Sequence, residues 1–356
     1  MGALALLFKW VAPGELAASG MPSEGDVDSI ASTFKSVVVL AEEHELLYDP
    51  RDLVKRGVRV LHRPVQDFKA PNLVYLHDLV DLIRSCEKPV LVHCYGGRGR
   101  SGVAVTAYLM ATQGLGWEEA LERARRVEPA FVETMEQYRA LWLYGGLLGA
   151  VSPRLLSKAI EVGRSIPKTW CRWRAREFGR GVGHASKVLE LTIELVEELK
   201  RLGLAQLSVD TRRALYVAAL LHDVGVCGLS SAEPDRAHEE RSYELILEHG
   251  GELDRACGYS IAEKVALIAR YHGAGPVPEV LDKELLTAIG VLRVAEGLDY
   301  AFDQSIKRVR AHRMGGGLVI KTTCDEKSPD YEANKRRASE KKRLLEEVLG
   351  VPIAIE

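Results

Sequence analysis

The 356-residue sequence lacks any apolar run near the roughly 18 residues that a helix needs to cross a bilayer. Its six cysteines are scattered and form no C-x-x-C pair, which argues against a secreted disulfide scaffold and against a zinc ribbon. An excess of one charge sign is absent as well, because 48 lysines and arginines face 50 aspartates and glutamates. A net charge of -2 does not favour a general nucleic-acid coat, so we do not expect nucleic acid as a partner.

The amino-terminal segment shows no targeting pattern. Residues 1–8 are apolar, but no positive charge precedes them and Lys9 interrupts the run. With 47% hydrophobic and 28% charged residues, the composition is that of an ordinary globular protein. We therefore expect a cytoplasmic, enzyme-like protein without a membrane partner.

Short β-branched runs alternate with amphipathic segments over residues 1–148. Runs at 36–40, 57–61 and 89–93 predict buried strands, and the apolar periodicity of 73–85 predicts a helix with one buried face. This alternation predicts an α/β domain with a mostly parallel central sheet flanked by helices.

After Gly145-Gly146 the pattern becomes helical, with little strand signal from 184 to 304. We predict a basic helical connector over 149–180 and an all-α domain over 181–356, which ends in a small hairpin at 318–323 and a charged helix. The basic residues of the connector are Arg154, Lys158, Arg164, Lys168, Arg172, Arg174, Arg176 and Arg180. They are typical of a solvated helix, and a patch that attracts phosphorylated or nucleic-acid substrates is the open alternative.

The most specific signal is a glycine-rich turn between a predicted strand and a predicted helix, His93-Cys94-Tyr95-Gly96-Gly97-Arg98-Gly99-Arg100-Ser101-Gly102. The spacing of Cys94 and Arg100 lets the intervening backbone N–H groups converge on one phosphoryl group, beside the positive end of the following helix. The same field stabilises the thiolate of Cys94, which makes it a competent nucleophile. The guanidinium of Arg100 offers a planar fork for two phosphate oxygens. The phosphate-binding loop predicted in this way consists of Tyr95, Gly96, Gly97, Arg98 and Gly99.

This turn resembles the His-Cys-x5-Arg-Ser/Thr signature of the cysteine-dependent protein tyrosine phosphatases, in particular the dual-specificity and small archaeal enzymes. The likeness extends over residues 8–145 and includes Ser19-Gly20-Met21-Pro22. It implies that Cys94 forms a phosphocysteine, that Arg100 holds the phosphate, and that Ser101 assists departure of the thiolate. It also implies phosphorylated proteins or small phosphoesters as substrates and no cofactor for this reaction.

The resemblance further implies an aspartic acid on a mobile loop as general acid. Asp67 lies 27 residues before Cys94 (94 − 67), the spacing of the family, in a stretch flanked by prolines. Its alternative role is that of a turn-forming residue. Asp52, Asp78 and Asp81 are weaker candidates because none lies in such a loop. We expect His93 to position the loop rather than to act as a base.

A second set of candidate residues falls at predicted helix ends in the other half of the chain: His184, His222, Asp223, His238, His272 and Asp299. Imidazole and carboxylate groups together suit hard or borderline divalent metals. In an all-α segment, the set predicts a two-metal site that activates water. A site for one ion, which uses His184, His222, Asp223 and Asp299 alone, stays open.

The order of these residues resembles that of the HD-domain phosphohydrolases. Segment 181–356 is similar to the C-terminal HD region of the exopolyphosphatase and guanosine-pentaphosphatase family, chiefly through residues 266–272 and 291–299. The likeness implies two divalent ions, of Mn, Fe, Co, Ni, Zn or Mg. One would be held by His184, His222, Asp223 and Asp299, and the other by Asp223, His238 and His272. The actin-like catalytic domain of that family has no counterpart here, so its polyphosphatase activity does not carry over.

Together these features predict a bifunctional phosphohydrolase, in which a cysteine phosphatase is joined to a metal-dependent HD phosphohydrolase. The alternative is a single-activity phosphatase whose HD domain binds a nucleotide or polyphosphate as a regulatory module. A third hypothesis combines the basic connector with Arg98 into a surface for RNA ends. We make no prediction of the oligomeric state.

Overall fold

A five-stranded sheet organises the first of the two units into which the chain divides, Met1–Gly145; the second unit is Gly146–Glu356. The computed structural model describes residues 7–166, 182–226, 237–324 and 328–356. The strand order is β1-β2-β5-β3-β4, in which β1 is antiparallel to β2 and the other pairs are parallel. The strands are β1 (Lys9–Ala12), β2 (Leu16–Ser19), β3 (Ser36–Val39), β4 (Arg59–His62) and β5 (Val90–His93).

Helices accompany this sheet, as the alternating sequence pattern predicts. They are α1 (Val27–Thr33), α2 (Pro50–Lys55), α3 (Leu73–Ser85), α4 (Gly99–Gln113), α5 (Trp117–Arg125) and α6 (Met135–Leu148). The strands β2, β3 and β5 are buried throughout, and part of the core beside them is aromatic, since Trp10 stacks on Phe34 with ring centroids 5.3 Å apart. The predicted parallel α/β architecture is confirmed. Because β5 lies between β2 and β3 and runs parallel to both, the residues that follow it lie in the middle of the carboxyl edge of the sheet.

The second unit is mostly helical. Its helices are α7 (Pro153–Ser165), α8 (Val182–Arg201), α9 (Val209–Leu221), α10 (Ala237–Glu248), α11 (Gly250–Cys257), α12 (Ala262–Arg270), α13 (Lys283–Gly297), α14 (Tyr331–Lys341) and α15 (Arg343–Leu349). α8 packs against α9 and α13, α10 packs against α12, and α14 and α15 both lie on α13. The predicted helical region is confirmed, although the predicted single charged helix is divided at Lys342 into α14 and α15.

A small sheet follows α13 and is larger than the predicted hairpin. It contains β6 (Ile306–Met314), β7 (Gly317–Cys324) and β8 (Ile353–Ile355), with β6 antiparallel and β8 parallel to β7. Buried glutamates of α8 bind the outer edge of β6: Glu194 and Glu198 each accept a 2.8 Å hydrogen bond from a backbone N–H, those of Val309 and Ala311. These two carboxylates therefore bind backbone N–H groups that would otherwise have no partner at the edge of the sheet.

The predicted basic connector is described only in part. α7, which carries Arg154, Lys158 and Arg164, packs against α9 and α11 and so belongs to the second unit. The remaining basic residues of the connector (Lys168, Arg172, Arg174, Arg176, Arg180) lie outside the described residues. The predicted domain limits, at 148 and 181, stay predictions. Within the described ranges, no helix has the length and apolar character required to cross a membrane.

Candidate functional site

The glycine-rich turn forms a loop between β5 and α4, with Cys94 buried at its base. The backbone N–H of Gly97 donates to the Sγ of Cys94 at 3.2 Å. Gly97 has φ +67°, and a Cβ atom there would lie 2.4 Å from the backbone nitrogen of Gly20. The loop thus needs glycine at this position both for its conformation and for its close approach to the end of β2. The N–H of Met21 completes this support by donating to the carbonyl of Tyr95 at 2.8 Å.

Arg100 lies in the first turn of α4, and its side chain is only 1% exposed. Its guanidinium donates to both carboxylate oxygens of Glu45, at 2.6 and 2.8 Å, and to the carbonyl of Val65 at 2.9 Å. Its Nε, like the hydroxyl of the neighbouring Ser101, is buried without a hydrogen-bond partner among the described residues. A buried donor without a partner is costly, so an oxyanion bound in the loop would satisfy a need that the protein leaves open.

Asp67 is brought to the same place from the loop after β4. Its Oδ1 lies 3.0 Å from Arg100, while its side chain remains 51% exposed. The loop is fastened by residues before and within α6, because Thr134 donates to the carbonyl of Phe68 at 3.0 Å and the buried Gln137 donates to that of Lys69 at 3.3 Å. The carboxyl group therefore stands at the solvent-facing side of the loop pocket.

The alternative aspartates have other partners or positions. Asp52 pairs with Lys55 at 2.7 Å, and Asp81 pairs with Arg84 at 3.0 Å. Asp78 lies within α3. The contact with Arg100 therefore favours Asp67 over these three.

His93 is completely buried at the end of β5. Burial lowers its pKa to about 4, so the imidazole is neutral at neutral pH. Its Nε2 lies 2.9 Å from the hydroxyl of Tyr48, and its Nδ1 lies 3.3 Å from the carbonyl of Cys94. Because burial also raises the pKa of Tyr48, that hydroxyl keeps its proton and can donate to Nε2. These contacts suit a residue that orients the loop, the role that the sequence predicts.

The other residues of the predicted phosphate loop are arranged around Cys94. Tyr95, Gly96 and Arg98 are exposed, whereas Gly97 and Gly99 are buried. The side chain of Arg98 is solvent-exposed, but its carbonyl accepts the N–H of Gly102 at 2.9 Å. Two residues of this site were not predicted from the sequence: Glu45, which contacts Arg100, and Tyr48, which contacts His93, each from far along the chain. No local sequence signal marks either residue.

The second candidate site lies where helices of the second unit end or begin. His184 is in the first turn of α8, His222 and Asp223 follow α9, His238 is near the start of α10, and His272 follows α12. Their ligand atoms form two overlapping groups, and within each group the atoms lie within 4.8 Å of one another. One group contains His184, His222 and Asp223, and the other contains Asp223, His238 and His272. The five residues are therefore brought together around one shared carboxylate.

Asp223 occupies the centre of this site. Its oxygens lie 3.6 to 3.8 Å from the Nε2 atoms of all four histidines. Burial alone would raise the pKa of Asp223, but the surrounding histidines hold it well below its ordinary value. Burial lowers the pKa of His222 and of His272, so both imidazoles are neutral and keep a lone pair.

Gly225, two residues after Asp223, lets α10 pack closely against the segment that carries Asp223. A Cβ atom at Gly225 would lie 2.2 Å from the carbonyl of His238 and 2.3 Å from the nitrogen of Ser242. The N–H of Gly225 also binds the hydroxyl of Ser242 at 2.9 Å. This contact brings the start of α10, and with it His238, next to Asp223.

Three of the histidines have a hydrogen bond at Nδ1, the ring nitrogen that faces away from Asp223. In His222 and His272 the Nδ1 binds a backbone carbonyl three residues earlier, at 2.9 and 2.6 Å. In His184 the Nδ1 binds the buried carboxylate of Asp299 at 2.8 Å. Such bonds fix the orientation of each ring and direct its Nε2 towards Asp223, where it could bind a metal.

Asp299 is placed differently from the other five predicted ligands. It lies outside both groups, on the side of His184 that faces away from Asp223, and its other oxygen accepts the N–H of Gln304 at 2.8 Å. Its predicted role as a direct ligand stays a prediction, and its observed contact orients His184. Imidazoles around a shared carboxylate form a donor set that fits one or two divalent ions.

The chain is similar to known proteins in two separate regions. Residues 26–114 match the family model described as polymorphic toxin system, DSP-PTPase phosphatase, and residues 181–300 match the model of the HD domain. Tyrosine-protein phosphatase CDC14 of Candida albicans is 29% identical over 111 residues, which are 30% of this chain and 20% of that protein. Human dual specificity protein phosphatase 15 is 34% identical over 84 residues, 22% of this chain and 28% of that protein.

Among solved structures, the chain is similar to Tk-PTP in the active form, with 43% identity over 39% of this chain and 95% of that one and a TM-score of 0.37. The matched segment spans less than two thirds of either curated relative. The predicted combination of regions is confirmed, while the likeness to the exopolyphosphatase family stays a prediction. The chain thus joins an N-terminal phosphatase domain of the dual-specificity type to a C-terminal HD domain.

Proposed function

We propose that the first unit hydrolyses phosphomonoesters through a phosphocysteine at Cys94. The observation that carries the proposal is the meeting of three groups: a thiol that receives a loop N–H, a buried guanidinium with a free Nε, and a carboxyl group 3.0 Å from that guanidinium. These groups can supply a nucleophile, a phosphate clamp and a proton donor.

In the first step, the thiolate of Cys94 attacks phosphorus and the bond from phosphorus to the ester oxygen breaks. The departing oxygen takes a proton from Asp67, which stands at the open side of the pocket and is left as a carboxylate. Arg100 and the loop N–H groups hold the phosphoryl oxygens while charge builds up on them.

In the second step, water attacks the phosphocysteine and gives a proton to the Asp67 carboxylate, while the bond between sulfur and phosphorus breaks. Phosphate leaves, and Cys94 becomes a thiolate again. The buried hydroxyl of Ser101, which has no partner among the described residues, is available to donate to the departing sulfur. No metal takes part in either step.

The rim of this pocket favours phosphate esters that carry an apolar or aromatic group. Four segments close to the pocket residues bear an exposed, large apolar side chain: Leu47 beyond Glu45, Phe68 beside Asp67, Tyr95 in the loop, and Met135 at the start of α6. Phe68 also has φ +59°, a strained conformation for an aromatic residue, and the hydrogen bonds on either side of it hold its ring outward. We expect phosphorylated proteins to be better substrates than small polar phosphoesters.

The test is hydrolysis of p-nitrophenyl phosphate and of a phosphotyrosyl peptide in the presence of EDTA. Cys94→Ser should abolish this activity. Cys86→Ser, at a second buried cysteine, is the matched control and should retain it. A Cys94→Ser protein with the full EDTA-resistant rate contradicts the proposal.

We further propose that the HD domain is a metal-dependent phosphohydrolase. The favouring observation is the pair of ligand groups that share Asp223. Divalent ions bound there would activate water and polarise a phosphoryl oxygen. The contribution of the chain is to orient the imidazoles of His184, His222 and His272, to keep Asp223 ionised beside them, and to bury these three histidines away from solvent.

The alternative for the HD domain is a binding module for a nucleotide or polyphosphate. Metal content and EDTA-sensitive hydrolysis separate the two. Asp223→Ala should remove bound metal and the EDTA-sensitive activity together, while Asp330→Ala, an exposed carboxylate without a capping bond, should retain both. Bound metal without any EDTA-sensitive hydrolysis of phosphoesters favours the binding module.

A further inference from the structure

Residues 131–137, the bridging segment, precede and begin α6, and their first part lies against the phosphate-binding loop. The N–H of Val132 donates to the carbonyl of Arg98 at 3.3 Å, and a Cβ atom at Gly102 would lie only 2.8 Å from the nitrogen of Val132. Val132 has φ +67°, an uncommon conformation for a β-branched residue, and Arg125 supports it by donating to its carbonyl at 3.1 Å. One end of the bridging segment is therefore fixed beside the phosphate-binding loop.

The bridging segment also holds the loop that carries Asp67. Its polar side chains Thr134, Glu136 and Gln137 all bind the backbone of residues 68–70. Thr134 and Gln137 donate to the first two carbonyls, at 3.0 and 3.3 Å, and Glu136 accepts the N–H of the third residue at 3.3 Å. Three consecutive residues next to Asp67 are thus tied to one short segment.

Gln137 contacts both loops, and its side chain is completely buried. Its Oε1 accepts the N–H groups of Glu133 and Thr134, at 2.8 and 3.3 Å, while its Nε2 donates to the carbonyl of Lys69. On the other side the amide lies against Gly99, where a Cβ atom would be 2.8 Å from Nε2. The amide therefore spans the distance between the two loops, and three hydrogen bonds fix its orientation.

The carboxyl group of Asp67 depends on such a support, because its side chain is half exposed. The phosphoryl group would be held by Cys94 and Arg100, which are both buried, so the phosphate-binding loop decides where the ester oxygen lies. The position of the carboxyl group is decided by its own loop. A misplacement of about 1 Å between a reacting group and its catalyst can cost about 100-fold in rate, so the two loops need a fixed spacing.

We propose that Gln137 is a positioning residue for the proton transfer from Asp67, because it sets the spacing between the loop that carries Asp67 and the loop that holds the phosphoryl group. The inference rests on the proposed phosphocysteine mechanism and deepens it. In this role Gln137 neither binds the phosphoryl group nor assists the attack of Cys94. Its loss should therefore slow the reaction only as far as the leaving oxygen needs a proton.

The test is the dependence of kcat/KM on the leaving group in Gln137→Met, measured on the full chain in the presence of EDTA. Methionine keeps a side chain of similar length against Gly99 but removes the donor to Lys69. For phenyl phosphate, whose phenolate leaves poorly without a proton, we expect kcat/KM to fall about 30-fold or more. For dinitrophenyl phosphate, whose phenolate leaves unaided, the fall should stay under about threefold. The inhibition constant of inorganic phosphate should also change by less than about threefold, since the phosphate-binding loop is retained.

Asp67→Asn connects this effect to the proton donor. It should show the same selectivity for phenyl phosphate, and addition of Gln137→Met should lower that rate by less than about a further threefold, because the donor is already lost. Gln113→Met, at an exposed glutamine that ends α4, is the matched control and should leave both rates within about twofold of wild type.

A second pair of variants does not depend on a buried position. Thr134→Val removes the hydroxyl that binds the carbonyl of Phe68, whereas Thr134→Ser retains a hydroxyl there. Thr134→Val should lower kcat/KM for phenyl phosphate about three- to tenfold and leave that for dinitrophenyl phosphate nearly unchanged. Thr134→Ser should keep the wild-type rate with both substrates. Thermal unfolding of each variant shows that it is folded.

The outcomes are distinguishable. A folded Gln137→Met protein that loses the same factor with both substrates, or that keeps the full rate with phenyl phosphate, overturns this inference and leaves the proposed phosphatase function intact. If Gln137→Met does not fold, equal rates of Thr134→Val and Thr134→Ser with phenyl phosphate overturn it. A Cys94→Ser protein with the full EDTA-resistant rate overturns the inference and the proposed function together.

Discussion

Replacement of Glu45 by glutamine tests how the phosphate clamp is held. Both carboxylate oxygens of Glu45 accept hydrogen bonds from Arg100, and this bonding is the main reason why the pKa of Glu45 lies below its ordinary value. Glutamine has the same shape, but its amide offers a single acceptor oxygen. Its NH₂ group would face an N–H of the guanidinium, so two donors would point at each other.

The magnitude follows from these contacts. A hydrogen bond that involves a charged group contributes about 1.5–3 kcal/mol. Glu45→Gln removes one such bond and weakens the other, while the carbonyl of Val65 and the carboxylate of Asp67 still hold part of the guanidinium. We expect a loss of about 2–3 kcal/mol in transition-state stabilisation, which lowers kcat/KM roughly 30- to 150-fold.

The assay is kcat/KM for p-nitrophenyl phosphate, together with thermal unfolding to show that the variant is folded. Glu43→Gln, an exposed residue of the same turn, is the matched control and should change the rate less than about twofold. Because Glu45 acts through Arg100, Glu45→Gln should add little to Arg100→Lys in the double variant. A Glu45→Gln rate within about threefold of wild type, or effects that add fully, would refute the reasoning.

Two further predictions concern stability. Gly97→Ala should destabilise the protein by about 2–5 kcal/mol in chemical unfolding, because Gly97 has a left-handed conformation and a Cβ there would collide with the backbone of Gly20. Gly96→Ala, which has open space around its Cβ position, should change stability by less than about 1 kcal/mol. Equal losses of stability in the two variants would contradict this prediction. Burial alone would raise the pKa of Glu198, but hydrogen bonds from two arginines and the N–H of Ala311 lower it. Its stabilising contribution is therefore complete above the unfolded pKa, near 4.3, and is lost as pH falls through the lower folded pKa. Unfolding measured from pH 6 to pH 3 should show the wild type approaching Glu198→Gln in stability, and a constant difference between them would disprove the assignment.

The sequence predicted best those features that lie within a short stretch of chain. The turn from His93 to Gly102 contains the proposed nucleophile, the proposed phosphate clamp and the glycines that its curvature requires, so its pattern is local. The helix predicted at 73–85 has the same limits as α3, since a long apolar period is little affected by distant contacts. The candidate metal ligands lie far apart in the sequence, but each stands at a helix end in a recognisable order, and the structure brings five of the six together.

Features that depend on distant contacts escaped prediction. Glu45 lies 55 residues from Arg100 in sequence, and nothing near it shows that its carboxylate meets a guanidinium. β6 carries a mixed sequence, Ile-Lys-Arg-Val-Arg-Ala-His-Arg-Met, whose strand structure depends on pairing with β7 and on the glutamates of α8. Asp299 has the spacing of a ligand, but its orientation is decided by His184 and by the backbone of Gln304.

The glutamates on α8 also affect how this protein can associate. An outer strand ordinarily presents a row of backbone groups on which a strand from another molecule can form. At β6 the N–H groups of Val309 and Ala311 are already bound by Glu194 and Glu198, so a second copy cannot extend the sheet there unless α8 first moves away. Protonation of Glu198 in acid would weaken its bond to the N–H of Ala311, and that edge would then be less well protected against a strand from another molecule.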